Sequence, residues 1–172
     1  MKERRSSKLS LSVLILAGIL WLGGGTIRLL VGDALVYTGT IEFLPNLEQH
    51  AERQIYALLA VISIVVNLSY CIVFLSAIFY LKTTQLKLKY NGWLMMCAIM
   101  FFLFSPAEIY TMILDWDFIR VEFSGLADIS QLRELFVRRI AALRGVPVIG
   151  LATYYTTVLL AIWQPLKKPL PE

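Results

Sequence analysis

The chain has 172 residues, 58% of them hydrophobic and only 16% charged, with a mean hydropathy of +0.70. A water-soluble domain needs about a quarter of its residues charged to coat its surface, so this balance excludes an ordinary soluble globule and points to lipid as the solvent. The net charge of +4 lies along segments that flank long apolar runs, which argues for a membrane surface and against a nucleic-acid partner.

Four segments are long enough to cross a hydrocarbon core, which takes about 20 helical residues: residues 9–31, 56–81, 92–114 and 146–163. The expected fold is an all-α integral membrane protein of one domain, residues 1–172, with outer loops at 32–55 and 115–145. The N-terminal run "MKERRSSKLSLSVLILAGILWLGGG" has the basic start and apolar middle of a signal peptide. Its apolar stretch is long and no A-x-A follows, so it reads as an uncleaved anchor.

Basic residues set the orientation. With the N-terminus inside, the inner segments carry Lys2, Arg4, Arg5, Lys8, Lys82, Lys87, Lys89, Lys167 and Lys168, which include every lysine. Arg53, Arg120, Arg133, Arg138, Arg139 and Arg144 fall outside, among nine acids. This bias predicts that both termini are cytoplasmic in a cell (inner) membrane. Trp93 and Trp163 then anchor the inner interface and Trp116 the outer one.

In the first outer loop, "ALVYTGTIEF" reads as two short strands around Thr38-Gly39, and "FIRVEF" further on alternates with period two, enough for a small three-stranded outer sheet. Asn46 with Gln49 resembles a capping box, which would start the second helix near Leu47. "DISQLRELFVRRIAALRG" places Ile129, Leu132, Phe136, Ile140 and Leu143 on one face and Arg133, Glu134, Arg138 and Arg139 on the other. This is an amphipathic helix suited to the outer leaflet or to a partner protein, broken from the fourth span by Gly145 and Pro147. Its arginines, with Arg144, are candidates for gripping lipid phosphates; the plainer reading is a solvated face.

The third span carries Ser105, Glu108, Thr111 and Asp115 along one face, next to Pro106, whose ring cannot donate to the carbonyl of Phe102 and should kink the helix. A charged carboxylate in hydrocarbon costs about 3 kcal/mol on insertion scales, so Glu108 needs a partner, a proton or water. Counting about 1.5 Å per residue from the inner ends puts Arg28 and Glu108 at similar heights, and an Arg28–Glu108 pair is the structural expectation. The alternative has Arg28 snorkelling alone. "GGGT" at positions 23–26 reads as a close helix contact or, less favourably, as an unwound ligand segment. Ser63, Asn67, Tyr70 and Cys71 form a polar line on the second span, read as interhelical hydrogen bonding or as a substrate path. Asp115 and Asp117, two apart in "DWD", have the oxygen chemistry of a divalent-metal site, and equally that of ordinary acids at a helix end.

Cys71 and Cys97 lie in apolar runs with no CxxC, and read as packing residues. His50, between Glu48 and Glu52, reads as solvated because alternate helical positions do not converge. No metal or cofactor set is visible. The leading expectation is a non-catalytic accessory or scaffold subunit that packs against other membrane proteins or against itself. The alternatives are a proton, ion or small-solute carrier working through Glu108, and a lipid- or glycan-modifying enzyme using Asp115 and Asp117.

Overall fold

The computed structural model describes residues 5–37, 39–126 and 128–167. Its elements are α1 (Arg5–Asp33), α2 (Gln49–Thr83), α3 (Gly92–Phe123), α4 (Ile129–Ala141), a short 3-10 turn (Ala142–Gly145) and α5 (Val146–Trp163). Four helical stretches are long and apolar enough to cross a membrane: α1, α2, α3 and the run that ends in α5. In lipid a helix satisfies its own backbone, which is why uninterrupted apolar runs of this length take that form.

α2 packs along α1 and against α3, and α3 packs against α5, whereas α1 and α5 barely meet. The bundle therefore has three well-packed edges and one loose seam. Its core falls into three storeys. Near the end where α2 finishes and α3 begins, Tyr80, Trp93 and Leu94 pack with Leu11. In the middle, Trp21, Val66, Tyr70, Val73 and Tyr154 form an aromatic layer, with the Trp21 ring 4.5 Å from Tyr154 and 5.1 Å from Tyr70. At the opposite end, Leu35, Tyr56, Leu59, Phe118, Leu132 and Phe136 close the bundle under α4.

The expected outer sheet does not form. Residues 118–123 continue α3 as helix, and among the described residues the first loop holds one antiparallel bridge, Val36 to Phe43. Phe118 and Ile119 are buried beside Tyr56 and Leu132, together with Leu114 and Asp115 one turn earlier. That is a helical stripe, and packing along it overrides the period-two pattern. Thr38 of the expected turn lies outside the described residues.

The capping box is also unused. α2 begins at Gln49, with Glu48 at its N-cap and no side-chain cap. Leu47 is drawn against the core beneath α4, which leaves Pro45–Asn46 as a turn and delays the helix. Trp93 is 8% exposed and packs inside the bundle, while Trp116 and Trp163 are exposed.

α4 is held by its own chain. Leu132 is fully buried and Phe136 nearly so, and both face the ends of α2 and α3. Asp128 caps the helix by accepting from the Ile129 amide at 2.8 Å, which supplies a partner for an otherwise orphaned donor. The return into α5 passes through three consecutive left-handed residues, Leu143, Arg144 and Gly145. Only the last adopts this conformation freely. Pro147 follows in the first turn of α5, where its missing N–H costs least.

Candidate functional site

The charged residues that the sequence scatters over three segments meet in one place. Arg28 of α1 donates through Nη1 to Asp115 Oδ2 and, at 3.4 Å, to Ser63 Oγ. Arg139 of α4 donates through Nε to Asp115 Oδ1 at 2.9 Å. One carboxylate thus fastens α1 and α4 to α3. Asp115 is 3% exposed, and the side chains of Arg28 and Arg139 are 14% and 20% exposed. Charges this sheltered persist only when paired.

The expected partner of Arg28 is therefore corrected from Glu108 to Asp115. Glu108 lies on the same face of α3, seven residues or about 10 Å deeper along the helix. It is half-buried and has no ion-pair partner among the described residues. Its backbone carbonyl accepts from Thr111 Oγ1 at 2.9 Å. Pro106 sits two residues earlier in a helix that runs on through it. There Ser105 donates its hydroxyl to the Phe101 carbonyl at 2.9 Å.

These groups floor a cavity of about 640 Å³ at the α1–α5 seam. Trp21, Leu29, Val148 and Leu151 line its apolar walls; Arg28, Glu108, Asp115 and Arg139 supply its charge. Residues 39–42 of the first loop border the mouth. Glycine makes the room on the α1 side: Gly25 and Gly32 both line the space. A bond also crosses the seam, where Thr26 Oγ1 and Tyr155 Oη lie 2.9 Å apart.

The "GGGT" segment is continuous helix, not an unwound one. A Cβ on Gly24 would come within 2.8 Å of Val66 Cγ2, so this glycine permits the close contact of α1 with α2.

A second ionic contact fastens α4 to α2. Arg133 grips Glu52 with two bonds, Nε to Oε1 at 2.6 Å and Nη2 to Oε2 at 2.7 Å. Tyr56 adds a hydroxyl to Oε1 at 3.0 Å, and the guanidinium also lies 5.1 Å from the Phe43 ring centre. The Arg133 bonds hold the Glu52 carboxyl below the usual carboxylate range against the opposing effect of burial. Glu52 is missed by sequence reading, although it shares a helical stripe with Tyr56, Leu59 and Ser63, where a 1% exposed acid demands a cation.

Of the four lipid-phosphate candidates, Arg133 and Arg139 pair with these acids, Arg133 while staying 44% exposed, and Arg138 and Arg144 are exposed. Asp117 does not converge with Asp115: residues two apart on a helix point to different sides. No cluster of three or more metal-ligating side chains exists among the described residues. On the polar line of α2, Ser63 meets Arg28, and Cys71 faces outward. Asn67 and Tyr70 are both 2% exposed. Among the described residues, Asn67 Nδ2 and Oδ1, the Tyr70 hydroxyl and the Tyr154 hydroxyl lack hydrogen-bond partners. The expected interhelical bonding on this line is made, among the described residues, at Ser63.

Comparison with known protein families, with characterised proteins and with solved structures gave no match.

Proposed function

We propose that this is a non-catalytic membrane protein whose working part is the crevice at the α1–α5 seam, and that the crevice receives the head and upper chain of a bilayer amphiphile. One observation carries this reading: a cavity with a charged floor and apolar walls lies where two spanning helices pack least. Its volume falls in the range of about 300–1,000 Å³ typical of small-molecule sites. Apolar walls suit acyl chain, and guanidinium groups suit an oxygen-rich head. With the termini cytoplasmic, as the lysine distribution suggests, the crevice belongs to the outer leaflet. The acid nearest its arginines, Asp115, is already engaged by two cations, which favours binding over acid–base chemistry.

The test is to purify the protein in mild detergent and identify bound lipid by native mass spectrometry. A variant with the seam filled, Gly25→Leu, serves as the control. Retained lipid that is lost in the variant supports the reading. Equal lipid in both, or none in either, removes it. A polypeptide retained at fixed stoichiometry in place of lipid would favour the accessory-subunit reading, with the seam taken up by a partner helix.

A further inference from the structure

The charge in the crevice does not balance without Glu108. Arg28 from α1 and Arg139 from α4 bring two positive charges that no accessible pH removes. Asp115 brings one negative charge, and both arginines share it. α2 contributes Ser63 to the lining and Tyr70 deeper in the bundle; α5 contributes Tyr154. Neither phenol is charged near neutrality. Asp33 and Glu42 lie at the exposed mouth. Among the described residues Glu108 is thus the one further charge inside, and it decides whether the crevice is neutral or carries a net positive charge.

The arginines also have capacity left over. Arg28 engages Asp115 and Ser63 through Nη1 alone, and Arg139 engages Asp115 through Nε. Their other N–H groups have no protein partner among the described residues. A planar guanidinium offers five donors in a fork that matches two oxygens of one anion.

We propose that the crevice takes an anionic head group, a phosphodiester or carboxylate, between Arg28 and Arg139, and that Glu108 takes up one proton as the anion enters. The proposal rests on the reading of the crevice as an amphiphile site. In the empty crevice the Glu108 carboxylate balances the second arginine. An arriving anion replaces it in that role, and two anions in one low-dielectric space repel strongly. Protonation relieves the repulsion and turns the carboxyl into an O–H donor. The step is balanced: one anion and one proton enter together from outside the protein, and no covalent bond other than O–H is formed.

The experiment measures binding of fluorescent dioleoyl phosphatidylglycerol to the detergent-solubilised protein over a pH series. This phosphodiester keeps a single negative charge throughout, so any titration belongs to the protein. Wild-type affinity should fall about tenfold per pH unit above the Glu108 midpoint, the slope of a single linked proton. Glu108→Gln should bind with no such slope, and Glu108→Asp should restore it. The zwitterionic dioleoyl phosphatidylcholine should bind more weakly at low pH. A flat wild-type profile, or the same slope in Glu108→Gln, overturns the proton linkage while leaving the amphiphile reading intact. Equal affinity for the two lipids at every pH overturns the anionic head. Tail-free glycerophosphoglycerol, the same phosphodiester head without acyl chains, binding as tightly as the lipid with the slope preserved, would instead overturn the amphiphile reading and leave Glu108 in its role.

Discussion

Replacing Asp115 with asparagine keeps the shape of the side chain and removes the charge that holds α1, α3 and α4 together. Breaking a buried ion pair by removing one partner costs about 3–5 kcal/mol, mostly because the other charge is left uncompensated. Here two cations are stranded, but their side chains retain 14% and 20% exposure and Glu108 shares the cavity. Those facts argue for the lower part of the range, about 3 kcal/mol. Arg139→Gln leaves the Arg28–Asp115 bond standing and forfeits one charge-assisted hydrogen bond, about 1.5–2 kcal/mol. The double variant should cost less than the sum by at least about 1 kcal/mol, since the removed groups touch. Unfolding in mixed micelles of mild detergent and dodecyl sulfate, followed by tryptophan fluorescence, measures all three. Asp115→Asn costing no more than Arg139→Gln, or strict additivity, would refute the idea that one carboxylate fastens three helices.

Gly24→Ala should lose about 1–3 kcal/mol in the same assay, because the new methyl meets the stiff Val66 side chain at 2.8 Å. The Glu52 carboxyl titrates below its unfolded value of about 4.3, so the stability it contributes is present above that pH and is lost as the pH falls through the depressed folded value. In Glu52→Gln this contribution should vanish from the acid limb of a stability–pH curve, and an unchanged limb would count against the pair with Arg133. Asn67→Leu should raise the midpoint of unfolding, since a buried amide with no partner forfeits about 1–3 kcal/mol; a clear loss would show that the amide is satisfied by water.

The four rods were legible because length and hydropathy suffice to define them, and the depth count did bring Arg28 and Glu108 into one cavity. It named the wrong partner for a geometric reason. Rise along a helix fixes height, but an arginine side chain is long enough that equal height does not choose between carboxylates two turns apart. The choice depends on how α3 is rotated about its axis and on what else approaches Asp115. Reading the third span as ending at residue 114 hid both facts, because α3 continues to Phe123 and gives α4 a wall to pack on. Of the apolar face expected for α4, Leu132 and Phe136 are buried, whereas Ile140 and Leu143 are exposed. The amphipathic pattern placed Arg139 with the solvent because a helical wheel weighs hydrophobicity, whereas a guanidinium beside a buried carboxylate gains by turning in; Arg133 stays exposed while it pairs with Glu52. Glu52 was passed over as a neighbour of His50. Its spacing of four from Tyr56 was the signal that it belongs to the buried stripe.

The position of α4 explains why the crevice exists at all. Had this helix lain flat on a leaflet, Arg139 would have remained outside and the floor would hold one arginine facing two acids, Asp115 and Glu108. Folding α4 back over the bundle, through the left-handed turn at residues 143–145, brings a second cation to Asp115 and makes the numbers of cations and acids equal. The same turn delivers Pro147 and Val148 to the cavity wall. The Thr26–Tyr155 contact ties α1 to α5, and Asp115 ties α1 to α4. Beside these fastenings α1 presents Gly25 and Gly32 to the cavity, and α5 presents Leu151. The small side chains on α1 and the sparse α1–α5 packing leave the room that the proposed amphiphile needs, while the ionic contacts fasten α1 and α4 to α3.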